Sequence, residues 1–86
     1  MNRIMWTRKA LKQLQSIDTR YISAIRRKVK ELSSFPDVTL DLKKMKGVDN
    51  QYRLRVGDYR VLFEVIDGKP TVISIQAVKR STSTTY

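Results

Sequence analysis

The chain has 86 residues, enough for one small domain, and 41% of them are hydrophobic, which supports a core and argues against disorder. Lys and Arg number 18 against 8 acids, so the net charge of +10 favours nucleic acid, an anionic surface or an acidic protein as partner. The chain contains no Cys and no His, which excludes disulfides, thiol nucleophiles, Cys or His metal sites and His-dependent catalysis. We expect no metal and no cofactor. Because no apolar run reaches transmembrane length and no signal peptide is indicated, we expect no membrane association and a cytoplasmic location.

The first third of the sequence predicts a short strand followed by two helices. Arg3 to Trp6 has the pattern of a strand, and Thr7 is a suitable N-cap for a helix that carries Ala10, Leu11 and Leu14 at helical spacing. A second helix is predicted from Asp18 or Thr19. Its apolar stripe consists of Tyr21, Ile22, Ile25, Val29 and Leu32. The basic residues on the outer sides of both helices are either a solvated surface or an additional phosphate or ribosome contact.

Residues 33–50 carry weaker patterns. Pro36 ends the helical region, because it disfavours helical backbone at Phe35. Val38, Leu40 and Leu42 alternate with other residues, which indicates an extended segment. Three lysines that follow are candidate RNA-binding residues, the alternative being a solvated loop: Lys43, Lys44 and Lys46.

The strongest pattern is a β-hairpin in the segment from Gln51 to Val65. Apolar and aromatic residues alternate with polar ones on both sides of Gly57-Asp58, and a Gly at the first central position suits a two-residue type II′ turn. This turn predicts three cross-strand pairs: Val56 with Tyr59, Arg55 with Arg60, and Leu54 with Val61. Arg53, Arg55 and Arg60 then share one face. Like charges opposite one another destabilise a sheet, so this cluster is either a binding site for a polyanion or a set of ordinary solvated arginines.

A last strand is predicted from Thr71 to Val78. If Ile73, Ile75 and Ala77 face the core, then Ser74, Gln76 and Arg80 join the arginine face, which requires a preceding loop longer than two residues. Guanidinium groups bind phosphates, and an aromatic residue such as Tyr86 can stack on an unpaired base. This combination is typical of a single-stranded RNA site. It also suits a metal-free ribonuclease in which the ribose 2′-hydroxyl attacks the adjacent phosphorus. Arginine is a poor general base, so the base stays unassigned at this point.

The segment YRLRVGDYRVLFEV, followed by a strand, Lys79-Arg80 and Tyr86, resembles the RelE family of toxins from type II toxin–antitoxin pairs. The opening segment IMWTRKALKQLQSID is similar to that family's first strand and helix. The resemblance covers nearly the whole chain. It implies a single α+β domain over residues 1–86, in which an N-terminal two-helix hairpin packs on one face of a small antiparallel β-sheet.

The resemblance also implies a function and a set of site residues. Such toxins enter the ribosomal A site and cleave mRNA without metal, thereby inhibiting translation. By resemblance, Arg53 and Arg55 take part in proton transfer or phosphate contact, Arg60 and Arg80 stabilise the transition state, and Tyr86 stacks on the substrate. An acidic cognate antitoxin binds the toxin in a hetero-oligomeric complex.

Two departures from the family pattern concern the general base. Well-studied members have Lys where this chain has Arg53 and Arg55, and many relatives have His where this chain has Lys79. Lys79, also a candidate RNA-binding residue, and Lys46 are therefore the first amines to consider as base. Two other functions stay open: a ParE-like toxin that inhibits DNA gyrase by binding, and a basic RNA-binding module without catalysis.

Overall fold

The computed structural model describes residues 1–80, which form a five-stranded sheet with two helices on one side. The strands are β1 (Arg3–Trp6), β2 (Leu42–Lys44), β3 (Gln51–Val56), β4 (Tyr59–Ile66) and β5 (Val72–Arg80). The helices are α1 (Arg8–Gln15) and α2 (Thr19–Lys30), and a 3-10 turn (Glu31–Ser34) follows α2. The strand order is β1-β5-β4-β3-β2, in which β1 runs parallel to β5 and the other neighbours are antiparallel. The predicted α+β fold with a helical hairpin is confirmed, with one parallel pair added at the β1 edge.

Both helices begin at the residues that the sequence predicts. The Thr7 hydroxyl accepts a hydrogen bond from the Ala10 amide at 3.1 Å, and the Asp18 carboxylate accepts one from the Arg20 amide at 2.9 Å. These side chains satisfy amides that have no partner in the first helical turn. The side-chain hydrogen bond from Arg20 lowers the pKa of the exposed Asp18 carboxyl. This contact belongs to the helix start and lies outside the basic site described below.

The core lies between the helices and one face of the sheet. Ala10 and Leu14 of α1 and Ile25 and Val29 of α2 are buried against residues from the three central strands. The buried strand residues of this cluster are Leu54, Tyr59, Val61, Phe63, Ile73, Ile75 and Val78. Both helices pack on this face, and within residues 1–80 no helix covers the opposite face of the sheet. No helix among residues 1–80 is long and apolar enough to cross a membrane.

The central hairpin has the predicted register. Val56 pairs with Tyr59, Arg55 with Arg60 and Leu54 with Val61. Gly57 has a φ of 58°, in the region that a type II′ turn requires at its first central residue and that other residues rarely adopt. The turn therefore sets which side chains of β3 and β4 share a face.

The pairing of β4 with β5 contains a β-bulge that the sequence analysis did not predict. Leu62 pairs with Ala77 and Phe63 pairs with Ile75, so Gln76 is an extra residue on β5. The five-residue loop before β5 agrees with the prediction of a long connection, and Ile73 and Ile75 face the core as expected. Beyond the bulge every side chain of β5 changes face.

Candidate RNA-binding site

The side of the sheet away from the helices, called the open face below, carries a row of three cations across three strands. Arg55 of β3 pairs with Arg60 of β4, which in turn pairs with Lys79 of β5. Directly paired residues lie on the same face with Cβ atoms about 4.5–5.5 Å apart. We call Arg55, Arg60 and Lys79 the cationic row.

A second row, one step along the strands, extends this basic surface. Lys43 of β2 pairs with Arg53 of β3, and Arg53 pairs with Leu62 of β4. The open face thus brings together the three arginines that the hairpin pattern predicts, Arg53, Arg55 and Arg60. These side chains are exposed or half-buried.

The prediction that Arg80 shares the open face is wrong. Because of the bulge, Arg80 pairs with Tyr59, a core residue, and Lys79 takes the position opposite Arg60. The prediction for Ala77 is wrong for the same reason: Ala77 pairs with Leu62 on the open face, and Val78 takes the core position. Two adjacent apolar residues, Ala77 and Val78, break the alternation of β5, and this break could have indicated the bulge.

The other predicted lysines differ in position. Lys44 pairs with Tyr52, whose ring stacks on Phe63 at 5.6 Å on the helical side, so Lys44 points away from the open face. Lys46 lies beyond the end of β2, and Lys43, Lys44, Met45, Lys46 and Arg53 together line a hollow of about 190 Å³. Tyr86 lies outside the described residues.

Among residues 1–80, the cations of the open face have no carboxylate partner. The ion pairs within residues 1–80 are Asp18–Arg20 and Lys28–Glu31. Both lie at the ends of α2. The Arg55 Nε donates a long hydrogen bond of 3.5 Å to the Gly57 carbonyl, which draws that side chain toward the hairpin turn. Unpaired guanidinium and ammonium groups on one surface are suited to binding successive phosphates.

The open face also carries a carboxylate, Glu64, which the sequence analysis did not single out. Glu64 pairs with Gln51 on one side and with Ser74 on the other, and lies four residues along β4 from Arg60. Within residues 1–80, no cluster of three or more carboxylates is positioned to hold a metal ion. The open face is therefore basic where Arg60 pairs with Lys79. Around Glu64, four residues farther along β4, it is polar and carries one acid.

Comparisons with known proteins show which proteins this chain is similar to. The sequence model of the family described as "ParE toxin of type II toxin-antitoxin system, parDE" matches residues 4–83. Toxin RelE3 of Methanocaldococcus jannaschii is 40% identical over 57 residues, which span 66% of this chain and 65% of that relative. The match thus covers slightly less than two thirds of the relative's length.

Solved structures share the fold. The archaeal RelE–RelB complex from Pyrococcus horikoshii OT3 contains a chain with a TM-score of 0.76 and 27% identity, with 94% of this chain and 96% of that chain covered. The isolated E. coli RelE toxin aligns with a TM-score of 0.78 at 19% identity, over 94% of this chain and 85% of that chain. The second likeness concerns the fold alone.

Fold and sequence together define the class as a toxin of a type II toxin–antitoxin system. The chain belongs to the ParE toxin family, within the RelE/ParE superfamily, and the predicted kinship with RelE-family toxins is confirmed.

Proposed function

We propose that this toxin is a ribosome-dependent, metal-independent endoribonuclease that cleaves mRNA in the A site and so inhibits translation. The observation that supports this proposal most directly is the cluster of cations on the open face. Arg53, Arg55, Arg60 and Lys79 come from three adjacent strands, and no carboxylate in the described part of the chain neutralises them. A sheet gains no stability from such a cluster, whereas an RNA phosphate gains several partners.

The proposed reaction is an attack of the ribose 2′-hydroxyl on the adjacent phosphorus, with departure of the 5′-oxygen. The phosphorane that forms carries more negative charge than the starting diester, so preorganised cations stabilise it more than the ground state. We assign this role to Arg60, which has a cation on each side in the row. Arg53 and Arg55 hold the neighbouring phosphates and keep the attack in line.

Proton transfer needs a group other than an arginine, because guanidinium keeps its proton at neutral pH. Lys79 is the amine within the cationic row, whereas Lys46 lies in the turn after β2. We therefore propose Lys79 as the proton acceptor or donor. Arg80 pairs with Tyr59, so it would reach the same phosphate only by bending round the end of β5. Tyr86 is proposed to stack on a base next to the scissile phosphate.

We further propose that an acidic antitoxin binds and inhibits this protein in a hetero-oligomeric complex. The net charge of +10 favours such a partner, and the similar RelE chain from Pyrococcus horikoshii OT3 was solved together with RelB. Because the attraction between exposed charges is screened by salt, affinity for the antitoxin should fall as ionic strength rises. Salt-independent binding to a coexpressed acidic partner would contradict the electrostatic part of this proposal.

The test of the ribonuclease proposal is primer extension on a translating mRNA with the purified protein. We expect new 5′ ends at codons in the A site, formed in the presence of EDTA and absent when ribosomes are omitted. Cleavage that stops with EDTA would contradict the metal-independent mechanism, and intact mRNA would contradict catalysis.

A second candidate function is that of a ParE-like toxin, inhibition of DNA gyrase by binding, and the chain matches a family model described as a ParE toxin. A supercoiling assay with purified gyrase separates the two functions. Inhibited supercoiling with intact mRNA on ribosomes would favour the gyrase inhibitor. If mRNA and supercoiling are both unaffected while RNA still binds, the third alternative applies, namely an RNA-binding module without catalysis.

A further inference from the structure

A cleft of about 320 Å³ opens on the open face next to the cationic row. Its lining combines apolar residues of the sheet, two carboxamides, two cations and the residue that caps α1: Leu62, Phe63, Ala77, Gln51, Gln76, Lys9, Lys79 and Thr7. Small-molecule sites in proteins combine such an apolar surface with a few convergent polar groups, in volumes from about 300 Å³. The cleft is therefore large enough for one base with its sugar.

The bulged residue Gln76 lines this cleft, and hydrogen bonds hold both the bulge and the Gln76 amide. The Thr7 amide donates to the Ile75 carbonyl at 3.0 Å, and the Thr7 hydroxyl lies 3.5 Å from the Gln76 carbonyl, so the start of α1 anchors the bulge. The Gln76 Nε2 donates to the Ser74 hydroxyl at 2.8 Å. This bond fixes the orientation of the amide and leaves Oε1 as an acceptor for a ligand. A preorganised acceptor loses less conformational entropy on binding.

The charges around the cleft favour one orientation of a nucleotide. Lys79 lines one end of the cleft and pairs with Arg60, which lies just outside the lining, and Glu64 lies on the other side of Leu62 along β4. A phosphate is attracted to the first end and repelled from the second. The uncharged base is then placed over Leu62 and Ala77, within reach of the two amides.

We propose that this cleft binds a single unstacked nucleobase of the RNA, whose phosphate contacts Lys79 and Arg60, and that Gln76 and Gln51 select the base. That the ligand is RNA follows from the ribonuclease function proposed above. Proteins read single-stranded RNA in this way, by hydrogen bonds to the edges of splayed bases. Phosphate contacts position the strand, while the amides supply the base preference.

The available acceptor on Gln76 predicts which bases bind. Cytosine presents an exocyclic amino group that can donate to Gln76 Oε1, whereas uracil has a carbonyl oxygen at the same position. Two acceptors facing each other without a proton between them are unfavourable. We therefore expect cytidine 5′-monophosphate to bind about fivefold more tightly than uridine 5′-monophosphate, which has nearly the same size.

The experiment is an NMR titration of the full ¹⁵N-labelled chain with these two nucleotides and with ribose 5-phosphate, which has no base. We expect the side-chain amide signals of Gln51 and Gln76 to shift with cytidine 5′-monophosphate. Gln76→Leu should remove the difference between the two nucleotides, while Gln15→Leu, the same change on exposed α1, should preserve it. Lys79→Gln should weaken the binding of both nucleotides to the same extent, because it removes a phosphate contact and leaves both amides in place.

A single-stranded RNA arm tests whether the ligand is RNA or a free nucleotide. The pentanucleotide UUCUU should bind more tightly than UUUUU, and Gln76→Leu should make the two affinities equal. If ribose 5-phosphate binds as well as cytidine 5′-monophosphate, or if Gln76→Leu keeps the base preference, the proposal is overturned. A cytosine preference without mRNA cleavage on ribosomes would contradict the ribonuclease and leave the base-binding cleft standing. Cleavage of mRNA by a protein that shows no base preference would support the ribonuclease and contradict the base-binding cleft.

Discussion

Arg60 lies between two other cations, and this position predicts opposite effects of Arg60→Ala on activity and on stability. Arg55 and Lys79 flank Arg60 on the neighbouring strands. Two unit charges about 5 Å apart in water repel by roughly 0.8 kcal/mol. Because long side chains bend apart and salt screens the charges, the total relief should be about 0.5–1 kcal/mol at low ionic strength. The variant should therefore be slightly more stable than the parent protein.

Cleavage should change in the opposite direction. Removal of one preorganised charge from a transition state of this type typically slows catalysis by about 10²–10³-fold, which corresponds to about 2.7–4 kcal/mol. Urea unfolding at low salt and at 0.5 M NaCl measures the stability change, which should shrink at the higher salt concentration. Primer extension on translating mRNA measures the rate.

Arg3→Ala is the matched control for this experiment. Arg3 is exposed on β1 and pairs with Val72, which pairs with Ile66 of β4. Ile66 is about 20 Å along β4 from Arg60, so Arg3 is far from the cationic row. The control should keep both stability and cleavage. Unchanged cleavage by Arg60→Ala would refute the assignment of its role, and a loss of stability above about 1 kcal/mol would refute the electrostatic argument.

Three further predictions follow from the same face and its turn. Lys79→Gln should reduce cleavage more than Arg80→Gln, because Lys79 belongs to the cationic row and Arg80 pairs with Tyr59; the reverse order would show that Arg80 reaches the substrate. Tyr86→Phe should keep most of the cleavage and Tyr86→Ala should lose most of it, since stacking on a base is worth about 1–3 kcal/mol; equal loss in both would assign the role to the hydroxyl. Gly57→Ala should lower the free energy of unfolding by about 1–2 kcal/mol in urea denaturation, because Gly57 has a φ of 58°, which a residue with a side chain adopts only with strain. A methyl group there would meet no atom within 4 Å, so the cost is that of the backbone and not of a clash. Unchanged stability would exclude conformational strain as the cost.

Local patterns in the sequence determined most of the elements of this protein. The N-caps at Thr7 and Asp18, the helical stripes and the register of the β3–β4 hairpin all follow from residues close together in the chain. A two-residue turn leaves a single choice of pairing, so the shared face of Arg55 and Arg60 could be derived before the structure.

Tertiary structure decided which residue completes the cationic row, although the adjacent apolar residues Ala77 and Val78 are a local sign of the bulge. The face of β5 depends on its pairing with β4 and on the contact between Thr7 and the bulge at Gln76, a residue 69 positions away. Since side chains alternate along a strand, one extra residue moves every later side chain to the other face. Simple alternation therefore assigned Arg80 to the open face, whereas the bulge brings Lys79 there.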